Sequence, residues 1–230
     1  MTTPSHRLVV GDDWVRSGAD LLAEAISSAV EARGRAVIAV SGGSTPRPVF
    51  DDLASRPLPW SRVAVTQVDE RIAPDGDADR NLGDLEAALG ATGARLVPLP
   101  VTWPDLDAAA RWWSGVMDHV GIVRDDGWPV FDVVHLGLGS DGHTASLVPD
   151  DPVLDVLDRA LAVTEPYQGR RRLTLTRPVL DRAVSTVWLA PGEGKREMVG
   201  RLLAGDRTIP GGLLGLDAAR SAVVTDVVPT

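Results

Sequence analysis

The chain has 230 residues, of which 44% are hydrophobic and none is a cysteine, so it can bury a large core and has neither disulfides nor thiolate metal sites. Its formal net charge of −9 argues against a nucleic-acid partner, because nucleic-acid binding usually requires a broad basic surface. No apolar run approaches the ~18 residues of a membrane span, and no N-terminal stretch has the pattern of a signal peptide. We therefore expect residues 1–230 to form one α/β domain, with at most a small additional lobe. We also expect the protein to be cytoplasmic and to have no membrane partner.

Two predicted strands, separated by an amphipathic helix, begin the chain. Residues 6–10 form an apolar strand pattern, and apolar side chains then recur at three- and four-residue spacing until Gly34. Residues 36–40 form a second buried strand. This strand leads directly into a polar loop whose residues are, in order, Ser41, Gly42, Gly43, Ser44, Thr45 and Pro46.

The loop after the second strand has the composition of a phosphate-binding loop. Its glycines allow several backbone N–H groups to converge, and Pro46 suits the first turn of a helix whose N-terminus carries about half a positive charge. The loop lacks the Gly-Lys-Ser/Thr of a nucleotide P-loop, so we predict the phosphate of a sugar or another small metabolite. A purely structural turn is the alternative.

The middle of the chain continues the alternation of strands and helices. Residues 63–68 form a third strand pattern that ends in Asp69-Glu70-Arg71, and charges at the carboxyl end of a strand suggest a ligand site. A short helix is predicted around Leu85, and a longer amphipathic helix over residues 106–120.

A second polar loop follows a short apolar strand pattern at residues 133–138. Within six residues it carries Asp141, His143, Thr144 and Ser146, and its glycines permit the close backbone approach that an exposed catalytic loop often needs. We therefore expect any chemistry to begin here.

Other interpretations of this loop remain open. Residues 137–142 fit the dinucleotide pattern GxGxxG, with Glu165 at roughly the spacing of a ribose-binding acid, but Pro149 would stop the crossover helix too early. His143 is alternatively structural, or with two aspartates it binds a divalent ion. The hydrolase elbow GxSxG occurs nowhere in the chain.

The C-terminal part supplies the basic residues that an anionic ligand would need. The triplet Arg170-Arg171-Arg172 precedes a strand pattern, and residues 184–190 form a further strand pattern. Lys195, the only lysine, begins the next helix, where a cation is unfavourable unless an anion lies in front of it. Residues 222–225 can complete a mostly parallel sheet with its ligands at the carboxyl edge.

Five of these segments in order resemble the motif set of the 6-phosphogluconolactonase family. They are Ser41–Pro46, Asp69-Glu70-Arg71 with Asn81, residues 137–147, residues 172–176 and residues 192–195. The resemblance implies hydrolysis of 6-phospho-D-glucono-1,5-lactone. It also implies a Rossmann-like, mostly parallel sheet flanked by helices, shared with glucosamine-6-phosphate deaminases and ribose-5-phosphate isomerases.

The deaminases are the nearest alternative within this resemblance. They typically carry an aromatic residue in place of Arg71, and a glutamate shortly after the histidine loop, where this chain has residues 146–149. The chain departs from the lactonase pattern at three places. It has Val148 where the family usually has phenylalanine and Val68 where the family commonly has glycine. The segment 209–216 also differs from the family's usual sequence, and we assign it no substrate role.

The resemblance also implies a set of catalytic residues. His143 would be the general base, with Asp141 or Asp69 orienting its ring, because an imidazole suits proton removal near neutral pH. Arg71 would hold the oxyanion or a substrate hydroxyl.

The rest of the implied site binds the phosphate. The phosphate would lie on residues 41–45, with Arg172 and Lys195 supplying charge. No metal or organic cofactor is implied, and we expect a monomer or a small homo-oligomer. A non-catalytic sugar-phosphate sensor of the same fold remains an alternative, against which the presence of His143 argues.

Overall fold

The structure, a computed structural model, describes residues 6–216 and 218–230, apart from the side chain of Asp107. Its central element is a sheet of seven strands in which every neighbouring pair is parallel. In spatial order the strands are β1 (Arg7–Val10), β12 (Ser221–Thr225), β11 (Ser185–Leu189), β8 (Val133–Gly137), β2 (Ala36–Val40), β3 (Val63–Gln67) and β5 (Arg95–Val97). The predicted Rossmann-like α/β class is confirmed.

Helices cover both faces of this sheet. They are α1 (Trp14–Arg33), α2 (Arg47–Ala54), α3 (Asn81–Leu89), α4 (Leu106–His119), α5 (Arg177–Leu180) and α6 (Arg196–Leu203). α1 ends before Gly34, which adopts a left-handed backbone conformation, so the helix ends where the sequence predicts. Within the described residues, none of these helices is both long and apolar enough to cross a membrane.

Two apolar clusters, one on each face, hold the helices to the sheet. In β8 the side chains of Val134 and Leu136 belong to one cluster, whereas Val133 belongs to the other. Alternating side chains of one strand therefore enter different cores, which explains why its sequence is apolar without a break. The interpretation of residues 1–230 as one domain stays a prediction, and residues 1–5 and 217 lie outside the described residues.

A smaller antiparallel sheet lies beside the carboxyl edge of the large one and corrects one expectation. Residues 69–71, predicted as the polar end of the third strand, form their own strand β4 (Asp69–Arg71), and β3 ends at Gln67. β4 pairs with β10 (Arg172–Leu175), which also pairs with β9 (Leu161–Val163). The pairing of β4 with β10 places Arg71 directly opposite Arg172.

Two short features have no counterpart in the sequence predictions. They are strand β5 and the hairpin formed by β6 (Val123–Asp125) and β7 (Trp128–Val130). Neither contributes a side chain to the site described below.

Candidate active site

A cavity of about 290 Å³ lies at the carboxyl edge of the sheet, beside the loops that follow β2, β8 and β11. Every predicted site residue except Asp141 lines it: Ser41, Gly42, Gly43, Ser44, Thr45, Asp69, Arg71, His143, Arg172 and Lys195. A larger cleft of about 630 Å³ lies by α1 at the amino ends of β11 and β12, but none of the predicted residues lines it. The smaller cavity therefore carries the candidate chemistry.

Asp141 lies behind His143 rather than in the cavity wall. Its Oδ1 is 2.6 Å from His143 Nδ1 and also accepts the His143 backbone N–H at 3.1 Å. Its Oδ2 accepts a hydrogen bond from the Tyr167 hydroxyl at 3.0 Å. Partial burial acts to raise the pKa of Asp141, but these hydrogen bonds outweigh it and hold the pKa below its usual value. An ionised Asp141 selects the His143 tautomer with a proton on Nδ1, which leaves Nε2 able to accept one.

Two glycines shape the loop that presents His143. A side chain at Gly139 would collide with the His143 ring, and Gly142 has a φ of +81° with Ile209 packed against its Cα. The Gly211 N–H donates to the Gly142 carbonyl at 2.9 Å. The divergent segment 209–216 therefore supports the histidine loop from behind, and residues 209–216 are absent from the cavity lining.

Asp69, the other aspartate considered for His143, has a different partner. It is 6% exposed, and its Oδ2 accepts the Ser146 hydroxyl at 2.5 Å. Burial raises the pKa of Asp69, and the Ser146 hydrogen bond only partly opposes this effect. Of the two aspartates, Asp141 is thus the one in hydrogen-bond contact with the His143 ring.

Arg71 reaches the cavity from β4 and is held by α3 and the loop before it. Its Nη1 donates to the Asp79 carbonyl at 2.6 Å and to Asn81 Oδ1 at 3.0 Å. The adjacent Glu70 is fully buried and accepts the backbone N–H groups of Asn81 and Leu82, which caps α3. Within the Asp-Glu-Arg motif, the middle residue therefore builds the scaffold while its neighbours face the cavity.

The glycine-rich loop after β2 is fixed at its first residue. Ser41 donates its backbone N–H to His135 Nδ1 at 3.2 Å and its hydroxyl to the His135 carbonyl at 3.2 Å. Pro46 lies immediately before α2, one position earlier than predicted. Ser44 and Thr45 are exposed at the cavity. The loop thus offers hydroxyl and backbone donors in front of a helix N-terminus.

Two cations face this loop across the cavity. Arg172 is 6% exposed, and burial lowers its pKa; its Nε has no hydrogen-bond partner among the described residues. Burial also lowers the pKa of Lys195, which precedes α6. Because Arg71 lies directly opposite Arg172, two like charges are paired across the small sheet, an arrangement that an anion would relieve.

Comparison with known proteins assigns the family. The model described as glucosamine-6-phosphate isomerases/6-phosphogluconolactonase matches residues 11–223. The chain belongs to this family. A 6-phosphogluconolactonase of Pseudomonas putida is 38% identical over 210 residues, which cover 87% of this chain and 84% of the relative. A 6-phosphogluconolactonase of Synechocystis sp. is 36% identical over 183 residues, which cover 78% of this chain and 76% of the relative. The crystal structure of a 6-phosphogluconolactonase from Shewanella baltica is 25% identical, with a TM-score of 0.81 over 97% of both chains.

This member of the glucosamine-6-phosphate isomerase/6-phosphogluconolactonase family brings together more residues than its sequence motifs predicted. Tyr167, Gln168 and His135 were missed: Gln168 and His135 line the cavity, and Tyr167 contacts Asp141. A polar residue inside an apolar strand is the signal that could have identified His135. Of the basic triplet, only Arg172 lines the cavity, because Arg170 pairs with Asp77 and Asp79. The described residues contain no group of three or more metal-ligating side chains.

The burial of Asp69 leads to a prediction for stability in this family member. Since the folded-state pKa of Asp69 is raised, its charged form costs folding free energy in full above that pKa, and the cost falls as pH drops through it and is gone below the unfolded-state pKa. We expect Asp69→Asn to raise Tm at pH 7 by about 2–4 °C, with a smaller gain at acid pH. Thermal unfolding at several pH values measures this effect. The exposed Asp150→Asn is the matched control, and a lower Tm for Asp69→Asn at pH 7 would contradict the prediction.

Proposed function

We propose that the chain hydrolyses 6-phospho-D-glucono-1,5-lactone to 6-phosphogluconate, with His143 as the general base. The names of the relatives support the substrate, since two of them at 36% and 38% identity are 6-phosphogluconolactonases. The observation that carries the mechanism is the cavity in which His143, hydrogen-bonded to Asp141, lies with the glycine-rich loop and the cations Arg172 and Lys195. A non-catalytic sensor would need the glycine-rich loop and the cations to bind phosphate, but it would not need His143 and Asp141.

The proposed reaction begins with water. His143 Nε2 removes a proton as the water oxygen bonds to the lactone carbonyl carbon, and Asp141 stabilises the resulting imidazolium through Nδ1. When the ring C–O bond of the tetrahedral intermediate breaks, the imidazolium returns the proton to the departing ring oxygen. General acid–base catalysis of this kind contributes about 10²- to 10⁴-fold.

Arg71 is proposed to stabilise the oxyanion or bind a substrate hydroxyl. Its guanidinium is oriented by Asn81 and the Asp79 carbonyl, so little reorganisation is needed when negative charge develops. Asp69 lies in the same cavity wall and is positioned to accept a hydrogen bond from a substrate hydroxyl.

The phosphate is proposed to bind on residues 41–45, with Arg172 and Lys195 as its cationic partners. Both cations are partly desolvated. A bound phosphate would therefore replace the contacts with water that burial removes from them. We further infer a cytoplasmic enzyme that is a monomer or a small homo-oligomer and requires no cofactor or nucleic-acid partner.

An assay with freshly prepared lactone tests this function. Formation of 6-phosphogluconate, followed by a coupled dehydrogenase, is expected to exceed the spontaneous rate in proportion to enzyme concentration. The matched control is heat-inactivated protein. A rate equal to the spontaneous one, while 6-phosphogluconate still binds, would instead support the non-catalytic sensor.

The deaminase alternative makes a separate prediction. We expect no ammonia above background from glucosamine 6-phosphate, because Val148 and Pro149 occupy the stretch where the deaminases typically carry a glutamate. Ser146, in the same stretch, is engaged by Asp69. A coupled glutamate dehydrogenase assay measures ammonia, and enzyme-dependent release would reverse the order of the two proposals.

A further inference from the structure

Tyr167 contacts both halves of the candidate site. Its hydroxyl donates to Asp141 Oδ2 at 3.0 Å, and its ring lies edge-on to the His143 ring with centroids 5.5 Å apart. The Arg172 guanidinium lies over the same ring, 5.1 Å from its centroid. One side chain is therefore in contact with the proposed base, its aspartate and a proposed phosphate ligand.

The backbone holds Tyr167 in this place through the tight turn between β9 and β10. Tyr167 and Arg170 form an antiparallel bridge, and the two residues between them have φ of +52° and +82°. Arg170 anchors the turn to the neighbouring loop by hydrogen bonds of 3.0 Å to both Asp77 and Asp79. Because the bridge ties Tyr167 to Arg170, which is itself anchored, the turn limits how far Tyr167 can move from Asp141.

We propose that Tyr167 is a positioning residue that orients Asp141, and through it His143, and that its ring supports Arg172. This inference rests on the proposed role of His143. Without Tyr167, the Asp141 carboxylate would be held through Oδ1 alone, by the backbone N–H and the ring of His143, whereas donors on both oxygens fix its terminal torsion. Tyr167 occupies Oδ2, so Oδ1 stays directed at His143 Nδ1.

The charge environment agrees with this arrangement. Burial raises the pKa of Tyr167, and its hydrogen bond to Asp141 acts in the same direction, so the phenol stays a donor throughout the neutral range. The other charged groups around Asp141 and His143 are Arg172 from β10, Lys195 before α6, and Asp69 and Arg71 from β4.

Two substitutions separate the two parts of the proposal. Tyr167→Phe keeps the ring under Arg172 and removes the hydroxyl, so kcat is expected to fall about 5- to 20-fold while KM for the lactone changes by less than about twofold. Tyr167→Leu also removes the ring, so KM is expected to rise in addition. A kcat for Tyr167→Phe within about twofold of the wild type would overturn the orienting role.

A double-mutant cycle with Asp141→Asn shows whether Tyr167 acts through Asp141. If it does, Tyr167→Phe lowers kcat by less than about twofold in the Asp141→Asn background. An equal loss in both backgrounds would mean that Tyr167 acts independently, which overturns the proposal. Failure of the proposed role of His143 can be told apart from failure of the Tyr167 proposal, because it would appear as a fully active His143→Gln variant.

A spectroscopic test does not depend on activity. Tyr167 is the only tyrosine, so incorporation of 3-fluorotyrosine gives a single fluorine label. The label reports on the hydrogen bond between the phenol and Asp141. We expect its NMR shift to differ from the wild type in Asp141→Asn, which removes the charged acceptor, and to stay unchanged in His119→Gln, whose side chain does not line the cavity. An Asp141→Asn shift equal to that of the wild type would overturn the contact.

Discussion

His143→Gln is expected to lower kcat for the lactone by at least ~10²-fold while binding of 6-phosphogluconate survives. Glutamine can still donate a hydrogen bond near Asp141, but it cannot accept a proton from the attacking water. The Asp141 contact at Nδ1 makes Nε2 the only ring nitrogen able to act as the base. Steady-state kinetics with fresh lactone and calorimetric binding of 6-phosphogluconate measure the two quantities.

His119→Gln provides the matched control for this substitution. His119 is exposed at the end of α4 and does not line the cavity, so kcat is expected to stay within about twofold of the wild type. Both variants should unfold at similar temperatures. If folded His143→Gln kept more than about a third of wild-type activity at pH 7, the general base would be another group.

Lys195→Met is expected to raise KM for the phosphorylated lactone by about 10- to 100-fold, with a smaller fall in kcat. The lysine lines the cavity, and burial lowers its pKa, so its ammonium lacks full hydration until an anion binds. Methionine keeps an unbranched side chain one atom shorter than that of lysine and removes the charge. Kinetics at several lactone concentrations give the two constants separately.

The control for Lys195→Met is a change of substrate. Unphosphorylated gluconolactone lacks the proposed partner of Lys195, so its turnover should scarcely change. Because Lys195 is the only lysine, amine labelling with peptide mapping gives a second measurement. Protection by 6-phosphogluconate but not by gluconate is expected, and equal labelling with either ligand would contradict a phosphate contact.

The predicted parts of the fold are those that local patterns determine. Strands β2, β8 and β11 are buried, so their apolar runs are visible in the sequence, and the polar loops after them mark the carboxyl edge. By contrast, β4 exists because it pairs with β10, about a hundred residues later, and three charged residues carry no strand pattern of their own. β5 is equally short, and its strand character comes from pairing with β3.

The same distinction applies to the site. Asp141 and His143 are two residues apart in one loop, so their proximity could be predicted, but the choice between Asp141 and Asp69 required the fold. Tyr167 lies in a turn that is remote in sequence from Asp141, and only the packing of the small sheet brings its hydroxyl to that carboxylate. Such a contact depends on tertiary packing, so neither the periodicity of the sequence nor a motif predicts it.

A crystal structure with 6-phosphogluconate tests the central claim that one cavity positions both ends of the substrate. The product's carboxylate forms from the lactone carbonyl, so its oxygens are predicted to lie within hydrogen-bond reach of His143 Nε2 or Arg71. The phosphate is predicted on residues 41–45, with Arg172 and Lys195 as its partners. A phosphate bound beside His143, or a product bound outside this cavity, would contradict the account.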